Sequence, residues 1–184
     1  MSSVWRWRWL VLAGSALAGT ASAANFEVSG VQLGMTQPQV EAARGDKIEC
    51  AARAPSDTDP SQMTCVSAEF AKSKALSDTF AGQKTVIRYH LLDGHVARIS
   101  FLGLPSLAFD QIVKTMETTY GKAEVESKVV RFMKSELVNK RAAWRNDAGD
   151  AIVFDKFSPG NLDRSYLNFY ANSWPQNLRP KPIE

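Results

Sequence analysis

KTVIRYHLLDGHVARISFL, Lys84 to Leu102, is the stretch that decides the fold. Ile87, Tyr89 and Leu91 alternate with Arg88 and His90; beyond Asp93-Gly94, Ala97, Ile99 and Phe101 alternate with Arg98 and Ser100. A period of two on both sides of a turn signal predicts an antiparallel hairpin with one apolar and one polar face. Parity then sets the loop. A two-residue Asp-Gly turn would place Tyr89 opposite Arg98 and mix the faces, because a one-residue slip moves every side chain to the other side. A three-residue loop, Leu92-Asp93-Gly94, places Ile87 opposite Ile99 and Tyr89 opposite Ala97. The pattern therefore predicts the longer loop, with Gly94 left-handed and a bulge beside it. Arg88, His90 and Arg98 share the polar face, and form the one candidate patch on it.

Working toward the C-terminus, Pro105 ends the second strand. Phe109, Ile112, Val113, Met116 and Tyr120 then make a single helical stripe from Leu107 to Tyr120, stopped by Gly121. Such a stripe faces a core and is not a cofactor box. Lys122 to Val138 reads two ways: helical spacing at Val125, Val129, Phe132 and Met133, strand propensity in its valines. Arg141–Arg145, Ala151–Phe157 and Arg164–Ala171 read as an antiparallel meander, separated by Asn146-Asp147-Ala148-Gly149-Asp150 and Ser158-Pro159-Gly160-Asn161. Residues 174–184 have three prolines and no period, and read as a tail pinned by Trp174.

Working toward the N-terminus, Met63–Phe70 reads as a strand and Ala71–Gly82 as a connection. Cys50 and Cys65 enclose 14 polar, proline-bearing residues. Their number and spacing fit no redox or zinc motif, so the pair reads as a disulfide that closes a loop. Val31–Gly45, VQLGMTQPQVEAARG, reads as a strand end, a tight turn at Gly34, a helix capped by Thr36 and Gln39, and a stop at Gly45. Asn25–Val31 is a short edge strand.

The run Leu33-Gly34-Met35-Thr36, followed by Val40, resembles the signature of small exported α/β modules. These include the small lipoproteins of outer-membrane barrel assembly and the β-lactamase inhibitor proteins; the later segments resemble uncharacterised secreted bacterial proteins. The resemblance implies helices packed on one face of an antiparallel sheet and a protein partner in the envelope. The chain has no lipidation cysteine and one clear copy of the motif, so no particular partner is implied.

Residues 1–23 join a start containing Arg6 and Arg8, the short apolar run LVLAGSALAGTA, and Ala21-Ser22-Ala23. This is the pattern of a secretory signal peptide cut after Ala23, too short to span a bilayer. Without Arg6 and Arg8, 20 basic residues face 19 acidic ones, a net +1. A chain that near neutrality is not a general nucleic-acid or anionic-membrane binder. No stable membrane anchor remains after cleavage.

Catalytic and cofactor motifs are absent from the sequence. His90 and His95 are the only side chains with an ordinary pKa near neutrality. A hydrolase would require a cleft that joins one of them to a serine and an aspartate. His90 on an alternating strand reads as a solvated face, and Asn146, Asp147 and Asp150 as turn chemistry rather than a calcium loop. The expected protein is α+β: an antiparallel sheet with two or three helices on one face, residues 24–173 as one domain, with halves 24–104 and 105–173 open to a tandem-repeat reading. The expected function is a non-catalytic binding module, periplasmic or secreted, without cofactor or metal, that contacts another envelope protein. The alternative is a carrier or sensor of a small or lipidic ligand in a helix–sheet cavity.

Overall fold

A computed structural model describes residues 25–132 and 135–180. The predicted leader with its site at Ala23, and residues 181–184 of the tail, lie outside them. The elements in chain order are β1 (Glu27–Val28), β2 (Val31–Gln32), α1 (Gln37–Arg44), β3 (Ile48–Ala52), β4 (Met63–Ser67), α2 (Ala68–Ser73) and β5 (Asp78–Phe80). There follow β6 (Gln83–Leu92), β7 (His95–Leu102), α3 (Phe109–Tyr120), β8 (Glu124–Phe132), β9 (Ser135–Arg145), β10 (Ala151–Asp155) and β11 (Tyr166–Tyr170). The protein is α+β.

Among the described residues, β1 and β2 form a small hairpin and the other nine strands form one antiparallel sheet, ordered β3-β4-β6-β7-β11-β10-β9-β8 with β5 beside β6. The order contains a pattern. Each half runs from one helix into a four-stranded meander: α1 into β3, β4, β6 and β7, then α3 into β8, β9, β10 and β11. The last strand of each, β7 and β11, meet antiparallel at the centre. The two halves thus have the same strand order around the middle of the sheet, with α2 and β5 inserted in the first.

The apolar hairpin face is where it was expected; the register is not. Ile87 pairs with Phe101, Tyr89 with Ile99, Leu91 with Val96 and Leu92 with His95. The turn is the two-residue one, Asp93-Gly94, both left-handed at φ 51° and 78°, the geometry that matches strand twist. The parity conflict is resolved by a bulge between His90 and Leu91 that leaves Ala97 unpaired on β7. Val96, Ile99 and Phe101 thereby all reach the main core, while Ala97 faces a second cluster on the other side. A bulge costs one ladder position, which is less than exposing a strand's worth of apolar side chains.

The core lies between one sheet face and the helices α1 and α3. Val40 of α1 and Phe109, Ile112, Val113 and Met116 of α3 are buried against Ile87, Tyr89, Ile99, Phe169, Ile152 and Phe154. Each such side chain contributes about 2 kcal/mol by leaving water. Phe109 stacks on Phe154 at 4.6 Å, and the Trp144 indole donates to the Gly121 carbonyl at 2.8 Å. That bond ties the end of α3 to β9. The short helix α2 is capped by Ser67, whose hydroxyl accepts from Phe70 N–H. It contributes no buried side chain. The strand expected to reach Phe70 stops at Ser67 because that serine starts a helix.

The Leu33–Thr36 motif serves as a joint. Gly34 N–H donates to Val96 O and Val96 N–H donates to Met35 O, both at 2.8 Å. Gly34 has φ 86°, so the chain can turn away from β7 directly into α1. The Gln39 side chain accepts from Thr36 N–H at 2.8 Å, as a capping box requires. Of the two readings of Lys122–Val138 the strand one holds among the described residues; Met133, part of the helical reading, lies outside them. Residues 124–132 are β8 and 135–138 begin β9, paired in register from Glu124–Ala143 to Phe132–Ser135.

Candidate functional site

Opposite the helices, the sheet shows its polar face. Side chains alternate along each strand, so Thr64, Arg88, His90, Arg98, Ser100, Asn168 and Asp155 all point there. The structure brings Arg88, His90 and Arg98 together as expected, and it adds a group that the sequence did not reveal. Cys50 and Cys65 are bonded, and they stand directly opposite each other in the β3–β4 ladder. The disulfide therefore staples a hairpin; Ala51, Ala52, Met63 and Thr64 belong to strands, and only the residues between them form the loop. That loop folds back over the polar face. Arg53 N–H donates to Gln62 O, Gln62 N–H to Leu91 O, and Asp93 N–H to the Gln62 side chain.

The fold-back delivers Asp59. One carboxylate oxygen, Oδ2, lies 2.9 Å from Arg53 Nη1, 3.3 Å from His90 Nδ1 and 3.9 Å from Arg98 Nη1. The other accepts from Ser61 N–H and Oγ–H at 3.2 and 2.7 Å. Burial alone would raise the Asp59 pKa, but its interactions with His90 and Ser61 outweigh burial and hold the carboxyl well below its usual range. Arg98 is fixed from several sides. Its Nε donates to Asn168 Oδ1 at 2.8 Å, its Nη2 donates to Tyr166 Oη at 3.2 Å, and its guanidinium lies 5.4 Å from the Trp174 ring. Arg88 lies over Phe70 at 5.6 Å. Its pKa is lowered by burial and then by Arg53 and Arg98 nearby.

His90 is not on a solvated face. It is 3% exposed, covered by the Asp59 loop and by Trp174, whose ring centroid is 6.4 Å away. Burial is the main force that lowers its pKa; Asp59 opposes it, and Arg98 and Arg53 reinforce it. His90 is therefore neutral at pH 7. Nε2 and Ser100 Oγ are 2.8 Å apart, while Nδ1 makes no well-aligned hydrogen bond.

Asp59, His90 and Ser100 thus have the connectivity of a nucleophilic triad. Their setting differs from that of a working one. Ser100 is 6% exposed and sits in mid-strand, flanked by β6 and β11. Its backbone N–H is committed to the ladder and cannot serve an oxyanion. What the cluster does build is a support for Arg53 and Arg98, both held on Asp59, with Arg88 close beside them. Several buried polar atoms around it lack hydrogen-bond partners among the described residues: Thr64 Oγ1, Asn168 Nδ2 and Trp174 Nε1. Asn168 Nδ2 and Trp174 Nε1 can only donate, so what they lack is an acceptor.

The remaining sequence candidates lie elsewhere. His95 is exposed beside the turn, its Nδ1 2.9 Å from Asp93 O. Asn146 and Asp150 hydrogen-bond to each other, and Asp150 accepts from Asn172 N–H. The tail is pinned by Trp174, which is 1% exposed in a cluster with Ala97, Val153, Tyr170 and Ala171. A cleft of about 380 Å³, lined by Arg44, Lys47, Ser67, Glu69 and Asp78, opens between the ends of α1 and α2. There, Arg44 and Asp78 pair at 2.7 Å and Asp78 also accepts from Ile87 N–H, which makes Asp78 a structural anchor for β6.

The buried pair predicts the acid response. For both His90 and Asp59 the folded pKa is depressed, so the unfolded chain takes up protons first and stability falls as pH falls. The His90 part is present above about pH 6.5 and is lost as pH drops from there toward the folded value; the Asp59 part is lost only below about pH 4. Thermal melts from about pH 8 to about pH 3 are expected to fall in two stages. His90→Gln should remove the upper stage; a melting curve unchanged by that substitution would contradict the burial argument.

No family model matches the chain, and neither a curated protein nor a solved structure is similar to it.

Proposed function

We propose that the protein is an exported binding module that contacts another envelope protein through the polar face of its sheet, and that the partner presents acidic groups to Arg53, Arg88 and Arg98. The observation that carries this reading is the convergence of Arg53 and Arg98 on one acid, Asp59, with Arg88 beside them, over a buried frame of His90, Ser100 and Asn168. Arginines held in place lose little freedom on binding, and their forked donors suit carboxylates.

Export is supported by the signal-peptide pattern of residues 1–23 and by the Cys50–Cys65 disulfide, which persists in an oxidising compartment. A periplasmic or secreted location follows. The Leu33–Thr36 resemblance points to the same class of protein. The carrier reading needs an apolar cavity between helix and sheet, whereas the 380 Å³ cleft lies at the helix ends and is lined by charged side chains.

The test is affinity capture from envelope extract with the chain from Ala24 onward as bait. An Arg53→Glu/Arg88→Glu bait should retain at least about tenfold less of the captured protein, and added salt should weaken the wild-type capture. Equal retention by both baits, or a fluorophosphonate that labels Ser100 stoichiometrically, would overturn the reading.

A further inference from the structure

The sheet ends differently at its two edges. At one edge β3 is five residues long and is stapled to β4 by the disulfide. At the other, β8 runs nine residues, pairs among the described residues with β9 on one side only, and has no proline. A long, regular edge strand without proline leaves a row of backbone groups open to further pairing, and its charges decide which strand can approach it. Val125, Val129 and Val138 are 55%, 56% and 51% exposed. Val129 faces Val138 across the ribbon, and Val125 faces Ala142, which belongs to the main core. The three valines therefore continue the core face of the sheet beyond the helices that cover it.

The charges of β8 indicate the occupant. Glu124 and Glu126 lie in its first half, Lys128 and Arg131 in its second. An antiparallel copy of the same strand brings acid to base; a parallel copy brings like to like. We propose that two copies of this chain pair edge to edge through β8, antiparallel, with the twofold axis at Ser127. That register sets Val125 opposite the second copy's Val129 on the core face and Glu126 opposite the second copy's Lys128 on the polar face, each contact occurring twice by symmetry. Moving the axis one residue either way sets Glu126 or Lys128 against itself. Glu126 also stands opposite Arg141 of β9 in its own chain, so the second copy's Lys128 extends a charge ladder across the seam. The two sheets become one, and an apolar row of Val138, Val129 and the second copy's Val125 crosses the seam on either side of the axis.

Sedimentation equilibrium of the chain from Ala24 onward, over a micromolar to submillimolar concentration series, is expected to show a monomer–dimer equilibrium. Lys128→Glu should raise the dimer dissociation constant by at least about tenfold, because two attractive pairs become repulsive. Val129→Lys, at an exposed position, should give a folded monomer, with folding checked by circular dichroism. A wild-type monomer throughout the series, or a dimer indifferent to Lys128→Glu and Val129→Lys, would each overturn the proposal.

Discussion

Trp174→Ala is expected to lower stability by roughly 4 kcal/mol, and the melting temperature by on the order of 10 °C. The indole is 1% exposed. It fills the space above Ala97, Val153, Tyr170 and Ala171, and its removal leaves a cavity that β-strand neighbours cannot close. The same ring lies 5.4 Å from the Arg98 guanidinium, so the variant also frees one of the three arginines. Trp174→Phe separates the two roles of the side chain. It keeps the apolar contacts and loses an N–H that has no partner among the described residues, so it should cost well under half as much. Chemical denaturation of both variants checks this. Equal losses would mean that the indole N–H, and not the packing, holds the tail.

Cys50→Ser/Cys65→Ser is expected to cost about 3 kcal/mol in the chain-entropy account of a loop this size. The loss should reach the site as well as the fold. The loop between β3 and β4 carries Arg53 and Asp59, and without the staple that loop has more freedom to leave the polar face. Partner capture by the double variant should therefore fall even where the protein is fully folded. Denaturation with and without reductant provides the stability measurement, and capture from folded samples provides the other. A variant that loses stability but binds normally would separate the disulfide from the site.

The parts legible in the sequence are those where one strong period spans a whole element. The α3 stripe and the two faces of the β6–β7 hairpin are of that kind. The hairpin register was not legible, because a bulge at Ala97 repairs the parity that the two-residue Asp93-Gly94 turn would otherwise break; alternation alone cannot tell a longer turn from a compensated shorter one. The β8–β9 ribbon was ambiguous for a related reason. It extends past the core, so its valines answer to no single buried face. At the site, alternation brought Arg88, His90 and Arg98 together, since it fixes which side of a strand a residue occupies. It did not show that His90 is buried, because its cover comes from Asp59 and Trp174, far away in the chain. A polar loop closed by a disulfide beside a charged strand was the one available sign of Asp59.

On the proposed reading the polar face of the sheet, and not the helical face, meets the partner. A photo-crosslinking amino acid at Val66, on the polar face of β4, tests this against one at Gln111, on the exposed side of α3. In envelope extract, the Val66 position is expected to crosslink to one acidic protein, and to lose that product when Arg53 and Arg88 are reversed in charge. The Gln111 position should give none of it. The same product from Gln111, or a Val66 product unaffected by the charge reversals, would contradict the account.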